Sequence, residues 1–316
     1  PSRGLGDVYK RQPVVVGPII MVIGLSLAGT AVNDVMNKTG ANGEKVYDLT
    51  YFTIGMVTLL AVILFNIYGK KIIGIIPVLL GLIVGYFFSL ILGAITGQEI
   101  VSFAKVGEAS WFHLPPMSLP FLDYDVKFYP SAILTMAPIA FVTMTEHFGH
   151  VMVLNSLTGK DFFKDPGLDK TLTGDGLAQI IAGLFGAPPV TSYGENIGVM
   201  ALNKIYSVYV IAGAAVLAIV MSFVGKVSAL LQSIPSPVLG GISIALFGVI
   251  ASSGLKILIE AQTNFDNKKN LLIASVILVS GIGGLTLQLS GLQISGVALS
   301  TILGIVLYLV LPEPKN

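Results

Sequence analysis

The stretch FGAPPVTSYGENIGVMALNK, residues 185–204, is apolar enough for a membrane yet cannot form one straight helix. Pro188 and Pro189 cannot continue a helix, Val190 to Tyr193 is β-branched and extended in character, and Gly194 precedes a fresh helical run beginning at Glu195. The pattern is that of a broken span. Irregular backbone at membrane depth is tolerated only where protein or a cavity satisfies it. Transporters build substrate sites from such half-helices, whose N-terminal N–H groups face the ligand. Glu195 sits at that helix start. An acid that merely complements the helix dipole would not require prolines to interrupt the span.

The surrounding chain is of the same kind. Its 316 residues are 54 % hydrophobic and 11 % charged, against roughly 25 % charged in a soluble domain, which excludes a water-soluble globule. Ten apolar segments run from Pro13 to Val32, Leu49 to Tyr68, Ile72 to Ile95, Ser131 to Leu154, Leu172 to Phe185, Val190 to Leu202, Val208 to Val224, Val238 to Ile259, Leu271 to Leu285 and Ile294 to Leu311. Several fall short of the ~20 residues a straight crossing needs. With no cysteine, disulfides and thiolate metal sites are excluded. The net charge of +1 comes without a basic cluster, which excludes nucleic acid as a partner. Residues 1–12, PSRGLGDVYKRQ, stand apart: they hold both arginines of the chain, Arg3 and Arg11, and lack the apolar core of a signal peptide. They read as an artefact fused to a gene fragment.

Lysines orient the spans, because cytoplasmic loops carry the excess. With the start of the first span inside, Lys70, Lys71, Lys160, Lys164, Lys170, Lys204, Lys256, Lys268, Lys269 and Lys315 are cytoplasmic, and only Lys38, Lys45, Lys105, Lys127 and Lys226 lie outside. The expectation is ten crossings with the C-terminus inside. The outer loop from Thr96 to Pro130 holds the single Trp, Trp111, with Phe112 and Phe121 suited to the interface, while Asp123 and Asp125 read as solvated surface.

A charged side chain at bilayer depth costs at least ~2.5 kcal/mol, so an intramembrane acid is a functional candidate by default. In the fourth span, TMTEHFGHVMVLN places Glu146, His147 and His150 midway along an apolar run. Glu146 and His150 are four apart and share a helix face, with His147 turned about 100° away. Mutual satisfaction of Glu146 and His150 is the plain alternative, but Ser or Thr would glue helices at lower cost. His147 alone reads equally well as a packing residue. Two carboxylates, a histidine and free backbone amides accept N–H donors and donate to carbonyl oxygens. A planar heterocycle such as a pyrimidine or purine base is their complement. Carboxylates are costly to keep ionised in an apolar cavity, which links proton binding to substrate binding.

TMTEHFGH, then KDFFKDPGLDKTLTGDGL and TSYGENIGVMALNK, resemble the nucleobase/ascorbate transporter family, in particular its bacterial uracil:proton symporter branch, from Pro13 to the chain's end. Glu195, Asn196, Gly198, Asn203 and Lys204 read the family signature, with Asn203 replacing its Thr. The resemblance implies that Glu146 and Glu195 hydrogen-bond the base beside the backbone of Tyr193 and Gly194. It also implies that Glu146, His150 and Glu195 serve proton coupling, with Phe247 near the site where some relatives have a tyrosine. It further implies an all-α polytopic membrane protein, part of a 7+7 inverted-repeat fold with core and gate domains and a short extended strand in the broken span. Residues 13–95 would be three gate spans, 96–130 an outer loop, 131–225 core spans and 226–312 the remaining gate spans. On this reading the first four family spans are absent and the 316-residue chain alone is not a competent transporter. The function implied is proton-coupled uptake of a nucleobase, uracil first, across the inner membrane. The proton gradient serves in place of any cofactor, and membrane lipid and a homodimer are the other partners.

Three other readings compete. A purine carrier for xanthine or urate is the alternative within the family. An intramembrane zinc protease wants His-Glu-x-x-His, whereas this chain has Glu-His-x-x-His and no third ligand. An anion exchanger of similar fold predicts a neutral or cationic site, against Glu146 and Glu195.

Overall fold

The computed structural model describes residues 13–39, 43–70, 73–74, 76–115, 117–123, 125, 127, 129–188, 190–289 and 292–312. The head segment 1–12 and Pro189 lie outside the described residues. The helices are α1 Pro13–Ser26, α2 Ala28–Met36, α3 Leu49–Tyr68, α4 Pro77–Thr96, α5 Ala104–Glu108, α6 Pro130–Thr158, α7 Leu168–Leu184, α8 Gly194–Asn203, α9 Val208–Ser222, α10 Gly225–Gln232, α11 Ser236–Glu260, α12 Lys268–Ile282 and α13 Gly296–Val310. Two antiparallel hairpins join β1 Asn37–Thr39 to β2 Lys45–Tyr47 and β3 Thr286–Leu289 to β4 Leu292–Ser295.

Each apolar segment acquires a helix, and local chemistry sets many of the ends. The Asp48 carboxylate caps α3 by accepting from the Thr50 and Tyr51 N–H groups at 2.7 and 3.1 Å. Pro77 and Pro130 open α4 and α6, where a missing N–H is harmless, and Gly97 and Gly159 close them in the left-handed region. Two features depart from an all-helical expectation. Leu27 separates α1 from α2 within the first apolar segment. The β3–β4 hairpin lies between the last two and takes in Ile294, because TLQL and LQIS each alternate apolar and polar residues with period two.

Among the described residues, Pro13–Met36, α3, α4 and α11 are long and apolar enough to cross a membrane, and α9 and α13 are apolar but shorter. With 29 residues, α6 is about 43 Å long, sufficient to span.

Contacts divide the chain into two compact units. One comprises the segments up to Ser26, Ser118–Ile197 and from Phe247 onward; the other comprises Leu27–Met117 and Gly198–Leu246. In the first unit α1 is central, packed by α6, α12 and α13, with Val14, Val15, Ile19, Ile20, Val22 and Ile23 buried. It meets the C-terminal half of α11 backbone to backbone. A Cβ on Gly24 would come within 2.6 Å of the Phe247 carbonyl, and one on Gly254 within 2.7 Å of the Met21 nitrogen. Lipid tails are as apolar as the side chains themselves, so such close contact, rather than escape from water, holds helices together here. The same logic explains α9, which has no buried residue among those described and exposes Val216, Leu217 and Ile219, a surface suited to hydrocarbon.

In the second unit α3 and α4 pair, and Ile54 and Val62 form a buried cluster with Val238, Ile242 and Leu246 of α11. The outer loop is tied to the α9–α10 junction. Phe112 bridges Val224, and the Lys226 ammonium donates to the carbonyls of Val106 and Gly107 at 2.8 and 3.2 Å, closing the end of α5. Replacing Lys226 by Met is expected to cost ~1.5–3 kcal/mol of local stability, the worth of a charge-assisted hydrogen bond. Limited proteolysis should then cut within residues 103–115 faster than in the wild type, and an unchanged cutting rate would count against the tie.

Candidate functional site

The site is built where α6, α7 and the interrupted span meet within the first unit. On α6, Glu146, His147 and His150 all lie in continuous helix. Gly149 between them lets the helix settle on α1, since a Cβ there would approach the Ile23 side chain to 2.6 Å. That contact seats the α6 turn that carries the two imidazoles against α1. His150 is buried, and its Nδ1 lies 2.8 Å from Ser192 Oγ. The hydroxyl either donates to a neutral Nδ1 or accepts from an Nδ1–H. On the other side of the ring, Nε2 stands 3.0 Å from where a Cβ on Gly194 would be. Glycine at 194 therefore makes room for the imidazole at the very start of α8.

The interrupted span behaves as its prolines require. After α7, Gly186 takes a positive φ of 69° and the chain turns back; residues 187–188 and 190–193 are not helical, and α8 begins at Gly194, one residue ahead of the expected start. Val190 is held by Gln179 of α7, whose Oε1 accepts from the Val190 N–H at 3.0 Å while its Nε2 donates to the Val190 carbonyl. Ser192 and Gln179 were not singled out by the sequence. The signal available for Gln179 was an amide side chain within the apolar run LAQIIAGL; nothing local marks Ser192.

His147 is also buried, and neither ring nitrogen has a hydrogen-bond partner among the described residues. Asp175, on α7, is within electrostatic reach of it. Tyr193 is exposed at 61 %, which leaves its ring free of the protein interior. Gly198 is buried because α8 rests there on α11: a Cβ would come within 3.0 Å of the Leu246 Cβ and 3.1 Å of its carbonyl. Asn196 and Lys204 are exposed, and Lys204 ends α8 with a positive φ of 55°. Asn203 buries a side-chain oxygen that has no partner among the described residues. Phe247 is buried in the first unit, with its carbonyl against Gly24. The side chains of Glu146 and Glu195 lie outside the described set; their backbones put one in mid α6 and the other in the first turn of α8. Among the described residues no group of His, Asp or Glu side chains could hold a metal ion.

The chemistry on offer is a helix N-terminus, whose first N–H groups lack intrahelical partners, beside a buried imidazole and two carboxylate-bearing positions. Groups of these types both accept and donate hydrogen bonds.

Residues 12–290 match the model of a family described as the permease family. The chain is 50 % identical over 301 residues to the uracil permease of Bacillus caldolyticus, covering 95 % of this chain and 67 % of that protein. It is 49 % identical over 316 residues to the uracil permease of Bacillus subtilis (strain 168), covering 99 % of this chain and 71 % of that protein. To the uracil permease of Escherichia coli (strain K12) it is 40 % identical over 298 residues, or 94 % and 66 % of the two chains.

Two glycines on neighbouring segments separate a steric requirement from helix propensity. Gly194→Ala is expected to force the imidazole of His150 aside and to destabilise by ~1–3 kcal/mol, as overpacking does. Gly174→Ala, in α7 with nothing within 4 Å of its Cβ position, is expected to stabilise by ~0.5–1 kcal/mol. Thermal unfolding of the two purified variants in one detergent should move in opposite directions.

Proposed function

This chain belongs to the permease family, the nucleobase/ascorbate transporters, and from that membership we propose that it carries uracil inward across the cytoplasmic membrane in company with protons. It is a multi-pass membrane transporter rather than an enzyme. The observation that carries the reading is the contact of buried His150 with Ser192 and Gly194, which brings mid α6 to the first turn of α8. Relatives 40 to 50 % identical over nearly the whole chain are named uracil permeases, which supports uracil ahead of a purine.

In this mechanism Glu195 and Glu146 accept the ring N–H groups of the base, and the free N–H groups at the start of α8 donate to its carbonyl oxygens. The backbone at Tyr193 and Gly194 lies alongside. A carboxylate inside a membrane is stable only when paired or protonated, so a proton taken up by Glu146, with His150 beside it, accompanies each base and leaves with it. Asn196, Gly198, Asn203 and Lys204 shape and terminate the helix that presents Glu195, and Phe247 packs nearby without a hydroxyl. No cofactor takes part; the proton gradient supplies the energy. The 7+7 inverted repeat, with residues 131–225 as core spans and 13–95 and 226–312 as gate spans, belongs to the same proposal, as do the inner membrane, its lipid and a homodimer.

The test is uptake of labelled uracil by cells lacking their own carrier and expressing the full-length protein that contains this sequence. Uptake should collapse with a protonophore and fall to background in Glu146→Gln and in Glu195→Ala. Unlabelled uracil should compete, and thymine, xanthine and urate should compete less. Uptake indifferent to the proton gradient, or unimpaired in either variant, would sink the mechanism; stronger competition by xanthine would make this a purine carrier.

A further inference from the structure

Residues 187–188 and 190–193 have no helical ladder, so each peptide N–H and C=O there needs a partner elsewhere in the protein. Val190 finds both in one side chain. Its N–H donates to Gln179 Oε1 at 3.0 Å, and its carbonyl accepts from Gln179 Nε2. A carboxamide presents one acceptor and one donor edge side by side, as a peptide unit does. Gln179 therefore fills the place of a neighbouring strand in a hydrogen-bonded pair. The turn at Phe185 and Gly186 brings Val190 back beside α7, although the two residues are eleven apart in sequence.

A second attachment follows two residues later, where Ser192 meets His150 of α6. One pin alone would leave the segment free to pivot; two, from different helices, fix both its position along its own axis and its rotation about it. We propose that Gln179 is a positioning residue that sets the register of this segment, and through it where the first turn of α8 presents Glu195 and its free N–H groups. Its effect on transport rests on the nucleobase-carrier reading above; the contact itself does not.

Register matters because a slip of one residue presents a different side chain at each of the two contacts. A slip of one residue would bring Thr191 or Tyr193 to His150 in place of Ser192. It would also set Tyr193 or Glu195 against the imidazole where Gly194 now lies, and a Cβ there would stand only 3.0 Å from Nε2, so the ring would have to give way. The side-chain type at 179 is equally constrained. Leu has comparable bulk but neither polar edge. Glu keeps the acceptor for the Val190 N–H but turns a second oxygen toward the Val190 carbonyl.

The test uses the full-length protein and two readouts. Since Pro188 and Pro189 have no N–H, hydrogen–deuterium exchange in a peptide covering residues 186–193 reports Val190 as its first amide after the prolines. Gln179→Leu should speed that exchange about tenfold or more and raise the KM for uracil about tenfold, the worth of two neutral hydrogen bonds, with Vmax per folded molecule changed less than about threefold. Gln179→Glu, which keeps one bond, should fall between Leu and the wild type on both readouts, and it carries the comparison if Gln179→Leu does not fold. Unchanged exchange in these variants overturns the contact. Faster exchange with an unchanged KM, or a loss confined to Vmax, overturns the positioning role. Should the wild-type protein take up no uracil, the function proposed above fails, and exchange alone then decides the register: protection lost in Gln179→Leu supports it, and equal exchange overturns it.

Discussion

A peptide group surrounded by hydrocarbon has no water to bond, so wherever a membrane chain leaves the helix its N–H and C=O groups must be met by other parts of the protein. Residues 187–188 and 190–193 pose that problem here, and the local architecture follows from its solution. Gln179 supplies a strand-like edge to Val190, His150 takes Ser192, and Gly194 gives up its side chain so that the imidazole fits. The interruption thus creates the demand that draws α6 and α7 together beside it.

The scaffold that holds these contacts relies on small residues. Gly24 and Gly254 bring α1 against α11, and Gly149 seats α6 on α1, so the helix that carries the histidines is clamped close to the site. Gly198, read from the sequence only as a signature position, has a comparable task, letting α8 rest on the backbone of α11 at Leu246. In a membrane such contacts replace the hydrophobic driving force of soluble cores, because removal from lipid gains little. The same reasoning accounts for helices such as α9 that bury nothing among the described residues and are nonetheless at home in the bilayer.

Much of this was legible in the order of residues. The boundaries of α3 agree with the apolar run Leu49–Tyr68, because Asp48 and Gly69 end it by local capping. The interruption before Gly194 follows from the prolines. The β3–β4 hairpin was in principle readable from the alternation of TLQL and LQIS, residues 286–289 and 292–295, most of which lie between the last two apolar segments. Of the candidate residues, His150 and Gly194 are brought together as neighbours, while Tyr193 turns its side chain outward.

Residue order alone therefore established the membrane class, the apolar helical segments, the break and the residue types available at it, since each depends on periodicity or on bonds within a few residues. It did not disclose that His150 reaches Ser192, forty-two residues away, or that Gln179 closes on Val190. Those pairings depend on how α6 is rotated by its contact with α1 and on how far the chain folds back after α7. Rotation and approach of packed helices are set by the shapes of side chains distant in sequence, and only the assembled fold contains them.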